Sequence, residues 1–365
     1  MKTKLYGLDH ARALAIILVF IYHYGRLFES PKGVTSIGKF GWTGVDLFFV
    51  LSGFLIASQL FLKTTTQNED ISFKEFFVKR FFRIIPAYFV VVFLYFLFPA
   101  LREREAPAPL WKYLTFTQNI GLDLRYQGTF SHAWSLCIEE QFYLLLPVIL
   151  IILIYYRALK KGWIIIASLF VLGFAARVYC WYTFVVPTTA TGTGWVYWYR
   201  YIYYPTYARL DGLLAGISIA AVFAFKPVLK ERLARHGNLW IFTGLLILVG
   251  AYFVCFDEQS MIASVAGFPL TDIGYGFLVL GAVSHTSFLY KVSSRVTTRL
   301  AEWSYAVYLT HKIVIHVTQQ YVSKLNIQKD STWMFIICIA SSLLAGYVLH
   351  VVIEKPFLKL RTRLL

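Results

Sequence analysis

The 365-residue sequence predicts an all-α, polytopic membrane protein of about ten transmembrane helices, with its N- and C-termini cytoplasmic. Three observations carry this expectation. Hydrophobic residues make up 58% of the chain and charged residues only 15%, with a mean hydropathy of +0.61, too little polar surface for a water-soluble domain of this size. Apolar runs of about 20 residues recur, the length a helix needs to cross a bilayer core, whereas barrel strands would read as alternating runs of about ten. Lys and Arg also favour one set of loops over the other by about two to one, which orients the chain.

The expected spans lie near 8–28, 43–62, 81–101, 132–156, 162–182, 203–225, 238–256, 262–285, 300–321 and 332–354. The net charge of +16 is spread as punctuation between them and forms no surface stripe, so nucleic acid is not an expected partner. Cys137, Cys180, Cys255 and Cys338 are isolated in or beside apolar runs and read as small buried hydrophobes; no metal site is expected. Lys2 and Lys4 precede the first run as in a signal peptide, but that run holds Arg12 and His23 and lacks a small-residue cleavage site, so it reads as the first span.

Arg12 and His23 are eleven positions apart, about three helical turns, so both leave one face of the first span about 16 Å apart along its axis. Ionisable groups in a membrane segment cost roughly 3 kcal/mol or more each and mark function by default. His23, beyond the midplane, suits a general base. In the second span Asp46 needs a partner, and His23 on the adjacent antiparallel helix lies at a comparable depth, so one expected reading is a base with its orienting carboxylate and the other, of equal weight, a helix N-terminal carboxylate favoured by the dipole. In the third, Arg80 and Arg83 share a face at the cytoplasmic end, which positive-inside anchoring alone explains equally well; with Arg12 at the same depth, a clamp for phosphate or diphosphate becomes the better reading. In the fourth, Ser135, Glu139 and Tyr143 form a stripe at i, i+4 and i+8, with Glu140 beside it and Trp134 before it, expected to line the cavity of His23.

Trp195, Tyr197, Trp198, Tyr199, Tyr201, Tyr203 and Tyr204 form an aromatic cluster in the long external loop 183–200 and the start of the sixth span. It reads as an interfacial belt, with a stacking surface for a sugar as the second reading. Arg209 and Asp211, near the external end of the sixth span, read as an ion pair. Tyr308 and His311 share a face of the ninth, while His316 and His350 read as structural.

These segments, in order, resemble the membrane acyltransferase family 3 (acyl_transf_3). The resemblance rests on R-x10-H at Arg12 and His23, D-x-F-F-x-x-S-G from Asp46 to Gly53, and R-x-x-R-I-x-P at Arg80, Arg83 and Pro86. It continues with W-S-L-x-x-E-x-x-x-Y from Trp134 to Tyr143, R-L-D-G-L-x-x-G from Arg209 to Gly216, S-Y-x-x-Y-L-x-H from Ser304 to His311 and E-x-P at Glu354 and Pro356. The resemblance implies a single integral-membrane acyltransferase domain over 1–365 in the bacterial cytoplasmic (inner) membrane. It implies an acyl-CoA donor, usually acetyl-CoA, held by Arg12, Arg80 and Arg83, and an acceptor hydroxyl on a cell-envelope polysaccharide or lipid-linked glycan, with His23 as the base. Many relatives add a fused SGNH-type domain, which is not expected here. Ser135 or Tyr143 would serve as oxyanion donor; direct transfer and an acyl-enzyme both fit. Two other classes fit a polar membrane interior: a proton-coupled transporter, and a lipid-linked sugar flippase or glycosyltransferase. No G-x-x-x-x-G-K-[ST], H-E-x-x-H or G-x-S-x-G motif occurs.

Overall fold

The computed structural model describes residues 5–66 and 72–365; the orienting charges Lys2 and Lys4 lie outside the described residues. All ten apolar stretches fall on helices: α1 (Tyr6–Leu27), α2 (Gly44–Thr66), α3 (Phe73–Leu97), α4 (Trp134–Tyr155), α5 (Gly162–Cys180), α6 (Asp211–Phe225), α7 (Gly237–Val254), α8 (Phe268–Val283), α9 (Arg295–Val322) and α10 (Thr332–Leu349). Serine side chains open three of them. Ser72, Ser294 and Ser331 each accept from the backbone N–H three residues on, satisfying one of the donors that a helix start leaves free.

Among the described residues, seven helices are long and apolar enough to cross a membrane, and α6 with the bent Pro227–Ala234 helix makes a possible eighth. The expected sixth span, 203–225, begins later than its hydropathy suggests. Pro205 sits in extended backbone and the chain re-enters a regular helix only at Asp211, leaving α6 with 15 residues.

The helices α1 and α9, 22 and 28 residues long, have the length to span but not the apolarity. They run parallel and pack against each other, and the seam between them is polar. Thr298 donates to Asp9 (3.2 Å), His10 meets Thr297 (2.8 Å), His23 meets His311 (2.9 Å) and Gln319 donates to the Tyr24 hydroxyl (3.2 Å). Polar groups with no access to water must find partners inside the protein, and here each helix hides the polar face of the other.

The centre is formed by α2, α6 and α8. About 67% of the apolar window containing α2 and 72% of that containing α8 is buried, against 17% for the segment containing α5, which leaves α5 on the periphery. Close approach of α2 to α6 depends on two glycines. A Cβ at Gly53 would collide with the Leu213 carbonyl, and one at Gly216 with the Val50 carbonyl, so no larger residue fits either position without moving a helix.

The same interface carries buried charge, and here the structure corrects two expectations. Asp46 does not reach His23. Its Oδ1 accepts from Arg209 at 2.5 Å, both side chains being essentially inaccessible. Nor does Arg209 pair with Asp211, which accepts from Arg177 of α5 instead. The reason is geometric: the chain turns inward at Arg209 just before α6, and the nearest carboxylate there belongs to α2. The Arg209 guanidinium is walled by Phe268, Tyr203, Trp134 and Trp42, at 4.1, 4.9, 5.6 and 5.8 Å from the ring centroids. Removing one member of a buried pair leaves the other charge uncompensated. Arg209→Met is therefore expected to destabilise the fold by about 3–5 kcal/mol. Thermal unfolding in detergent should show a large fall in midpoint for the single variant, partly recovered by adding Asp46→Asn. An Arg209→Met protein as stable as the parent would refute the role assigned to the pair.

Candidate active site

Two cavities lie on opposite sides of Tyr308, and the spacing of Arg12 and His23 along α1 places one of these residues in each. The smaller, about 100 Å³, gathers Arg12 from α1, Arg80 and Arg83 from α3, and Ser135, Glu139 and Tyr143 from α4. The i, i+4 spacing on α4 does what it implies, since Tyr143 donates to Glu139 Oε2 at 2.9 Å. Arg80 lies over the Tyr143 ring, 5.7 Å from its centroid, and donates to Gln59 Oε1 at 2.7 Å. Among the described residues no carboxylate forms an ion pair with Arg12, Arg80 or Arg83. Three guanidiniums against the single Glu139 carboxylate in this lining leave a surplus of positive charge suited to a polyanionic ligand.

The larger cavity, about 430 Å³, holds His23. Trp195, Tyr199, Tyr203 and Tyr204 line it, so part of the aromatic cluster faces a cavity; Trp198 is instead buried, donating to Ser264 at 2.7 Å. His23 is oriented by His311. His311 Nδ1 lies 2.8 Å from the Tyr308 carbonyl and 3.1 Å from the Val307 carbonyl, oxygens that only accept, so Nδ1 bears the hydrogen. In the neutral ring Nε2 is then bare and accepts from His23 Nδ1–H at 2.9 Å. That contact leaves His23 Nε2 with its lone pair free. A backbone carbonyl thus sets the tautomer of His23 through the intervening ring of His311.

The structure adds groups that the sequence reading missed. His132 donates from Nε2 to the same Tyr308 carbonyl at 3.1 Å, with its ring 5.0 Å from His311 and 5.7 Å from His23. Lys312, also on the cavity wall, is 1% exposed and donates to Glu103 Oε1 (3.3 Å) and Ser131 Oγ (3.4 Å). Glu103 comes from the loop after α3 and also accepts from Phe130 N–H at 3.2 Å. Phe130 has φ +54°, an uncommon conformation for a side chain of this size, held by stacking on Tyr95 and Tyr113 at 4.7 and 5.7 Å. Two residues later the chain delivers His132. The usable signal was local: H-A-W-S at the start of α4 and H-K in α9 each put a basic side chain next to a residue already singled out.

The expected grouping of Asp46, Glu139, Ser135 and Tyr143 with His23 is not found. Asp46 is held by Arg209, and Glu139 and Tyr143 belong to the arginine cavity. Glu140, one position on from Glu139, is absent from the lining of both cavities. Ser135 lies on the divide. Its Oγ is 2.7 Å from the Tyr308 hydroxyl, which itself donates to the His132 carbonyl at 2.6 Å, and Tyr308 belongs to the walls of both cavities. Trp134 lines the His23 cavity and also covers Arg209, while Arg209 and Asp211 act behind that wall.

Comparison with known proteins gives the family of the chain. Over 373 residues the chain is 30% identical to "Peptidoglycan O-acetyltransferase OatA" of Listeria monocytogenes, covering 97% of this chain and 56% of that protein. It is 28% identical over 371 residues to "O-acetyltransferase OatA" of Staphylococcus aureus, covering 97% and 57% respectively. The chain therefore spans little more than half the length of these relatives. No solved structure matches it. Residues 5–351 match the acyltransferase domain Acyl_transf_3, and the chain belongs to that family of acyltransferases.

Proposed function

We propose that this multi-pass membrane protein is an O-acetyltransferase that moves an acetyl group from acyl-CoA to a hydroxyl of a cell-envelope carbohydrate. In this reading ten helices span a bacterial cytoplasmic membrane with both termini inside, so that Arg12, Arg80 and Arg83 face the cytoplasm and the His23 cavity faces outward. The loop charge bias and the parallel course of α1 and α9 fit this orientation. The names of the relatives supply the reaction class and a glycan as acceptor.

The observation that carries the mechanism is the bare Nε2 of His23 in the wall of the aromatic cavity. CoA phosphates sit among the three guanidiniums, and the pantetheine arm runs along α1 past Tyr308. The two ends of that path on α1 are about 16 Å apart. His23 Nε2 takes the proton of the acceptor hydroxyl as its oxygen attacks the thioester carbon. The C–S bond then breaks, and the proton passes from the imidazolium to the departing thiolate, giving the ester and free CoA. His311 holds Nδ1–H of His23 throughout, the role expected of Asp46. The aromatic wall packs against the sugar ring.

His23→Ala is expected to lower transfer from radiolabelled acetyl-CoA to glycan by about 100-fold or more while acetyl-CoA affinity holds. Transfer at the parental rate would remove His23 as the base. His311→Gln should lower kcat more than it raises KM, since it disturbs a tautomer and leaves the cavity lining intact; an unchanged kcat would refute the relay. Replacing Arg80 and Arg83 together by Ala should weaken CoA binding by roughly 100-fold or more, given about 1.5–3 kcal/mol for the charged hydrogen bond of each. Calorimetry on the purified protein would measure it, and unchanged affinity would rule out the phosphate clamp.

A further inference from the structure

A third cavity, about 350 Å³, adjoins that of His23 on the side away from Tyr308. Tyr22, Arg26 and Gln259 line both, so the two chambers share a wall and together make one two-lobed cleft. The second chamber is closed by the segment after α1, which supplies Lys39 and Phe40, and by the end of α7 with its following loop, which supplies Tyr252, Phe256 and Glu258. Nothing in the transfer mechanism uses it.

Its lining mixes flat rings with hydrogen-bonding groups. Phe40 and Tyr252 meet edge to face, with centroids 5.7 Å apart, and Lys39 Nζ stands over the Phe256 ring at 5.4 Å. Phe256 is 70% exposed, a large apolar ring that the core does not use. On the shared wall, Glu258 is reached by the Tyr22 hydroxyl at 3.5 Å and by Arg26 at 3.5 Å. Both contacts are long, and Glu258 Oε1 makes no hydrogen bond beyond its pairing with Arg26. Tyr22 also touches the base, its ring 5.6 Å from that of His23. Rings for stacking, with charged and amide groups that match several hydroxyls, suit a pyranose. Each chamber falls within the roughly 300–1,000 Å³ of small-ligand sites.

We propose that the second chamber is an acceptor subsite that binds the sugar adjoining the one presented to His23, so that the enzyme acts on linked sugars in preference to a free monosaccharide. The inference rests on the transferase reading above. Adjacent rings of one chain occupy the two lobes, and Tyr22, Arg26 and Glu258 bracket the glycosidic linkage between them. Binding in the second lobe holds the acceptor hydroxyl at His23 Nε2 without taking part in the chemistry.

The test is radiolabelled acetyl-CoA with the purified full chain and a monosaccharide, disaccharide and tetrasaccharide cut from peptidoglycan glycan strands. From mono- to disaccharide, kcat/KM should rise by about tenfold, the worth of one stacked ring with its hydrogen bonds, and then level off. Phe256→Ala and Glu258→Gln should each reduce that ratio, chiefly through KM for the disaccharide. Phe256 is exposed enough to replace without opening the core, and Phe242→Ala on the outer face of α7 serves as the control that keeps the ratio. Equal kcat/KM for the mono- and disaccharide, or a ratio that neither variant alters, overturns the subsite while leaving the transferase reading intact. Absence of labelled product with every acceptor overturns both.

Discussion

The ion pair between Arg209 and Asp46 is the contact on which the half of the molecule around His23 depends. A guanidinium lodged among Phe268, Tyr203, Trp134 and Trp42 would be very costly without a carboxylate, and Asp46 is the one α2 offers at that depth. The pair fixes the entry to α6 against α2, where Gly53 and Gly216 already bring the backbones together. It also holds Trp42, Trp134 and Tyr203 in place from behind, and those three rings face the His23 cavity on their other side. The shape of the cavity is thus set by charges that never enter it.

Much of this was legible in sequence because it is local. Each apolar stretch in the sequence falls on a helix, and seven of the helices among the described residues are long and apolar enough to cross a membrane. The eleven-residue separation of Arg12 and His23 assigns them to one face and two depths, and the structure gives them separate cavities. The i, i+4 step from Glu139 to Tyr143 is a hydrogen bond. What was not legible is the partner of each buried charge. Asp46 and Arg209 are 163 positions apart and Glu103 and Lys312 are 209, and nothing along one chain encodes how far one helix slides past another. A plausible depth match therefore paired Asp46 with His23, when the turn before α6 delivers a stronger partner to the same place. His132 escaped because it lies where a loop ends and a span begins, and only the left-handed Phe130 turns it inward.

A histidine oriented by a second histidine differs in its electrostatics from one oriented by a carboxylate. Between His23 and His311 no formal charge is stored, so the resting pair avoids the cost of burying an ion along the polar seam of α1 and α9. The nearest cation on α9, Lys312, is paired with Glu103. The imidazolium formed during the proposed transfer consequently has no fixed counter-ion in contact with it, which favours prompt return of the proton to the leaving thiolate.

Tyr308 joins these features. Its carbonyl orients His311 and His132, while its hydroxyl, engaged by Ser135 and the His132 carbonyl, closes the divide between the arginine cavity and the aromatic one. Opening that divide sacrifices two hydrogen bonds, each worth about 0.5–1.5 kcal/mol net, a modest sum beside the binding energy of a polyanionic donor on three arginines. A bound donor can therefore displace the barrier, whereas water in the outer cavity gains nothing comparable by doing so. In the proposed reaction this asymmetry matters, because water is the competing nucleophile for any thioester that reaches His23. In the proposed reaction, the residue that fixes the tautomer of His23 is also the one the acyl group would pass, so a shift of α9 that admits the donor would act on His23 through the same few atoms.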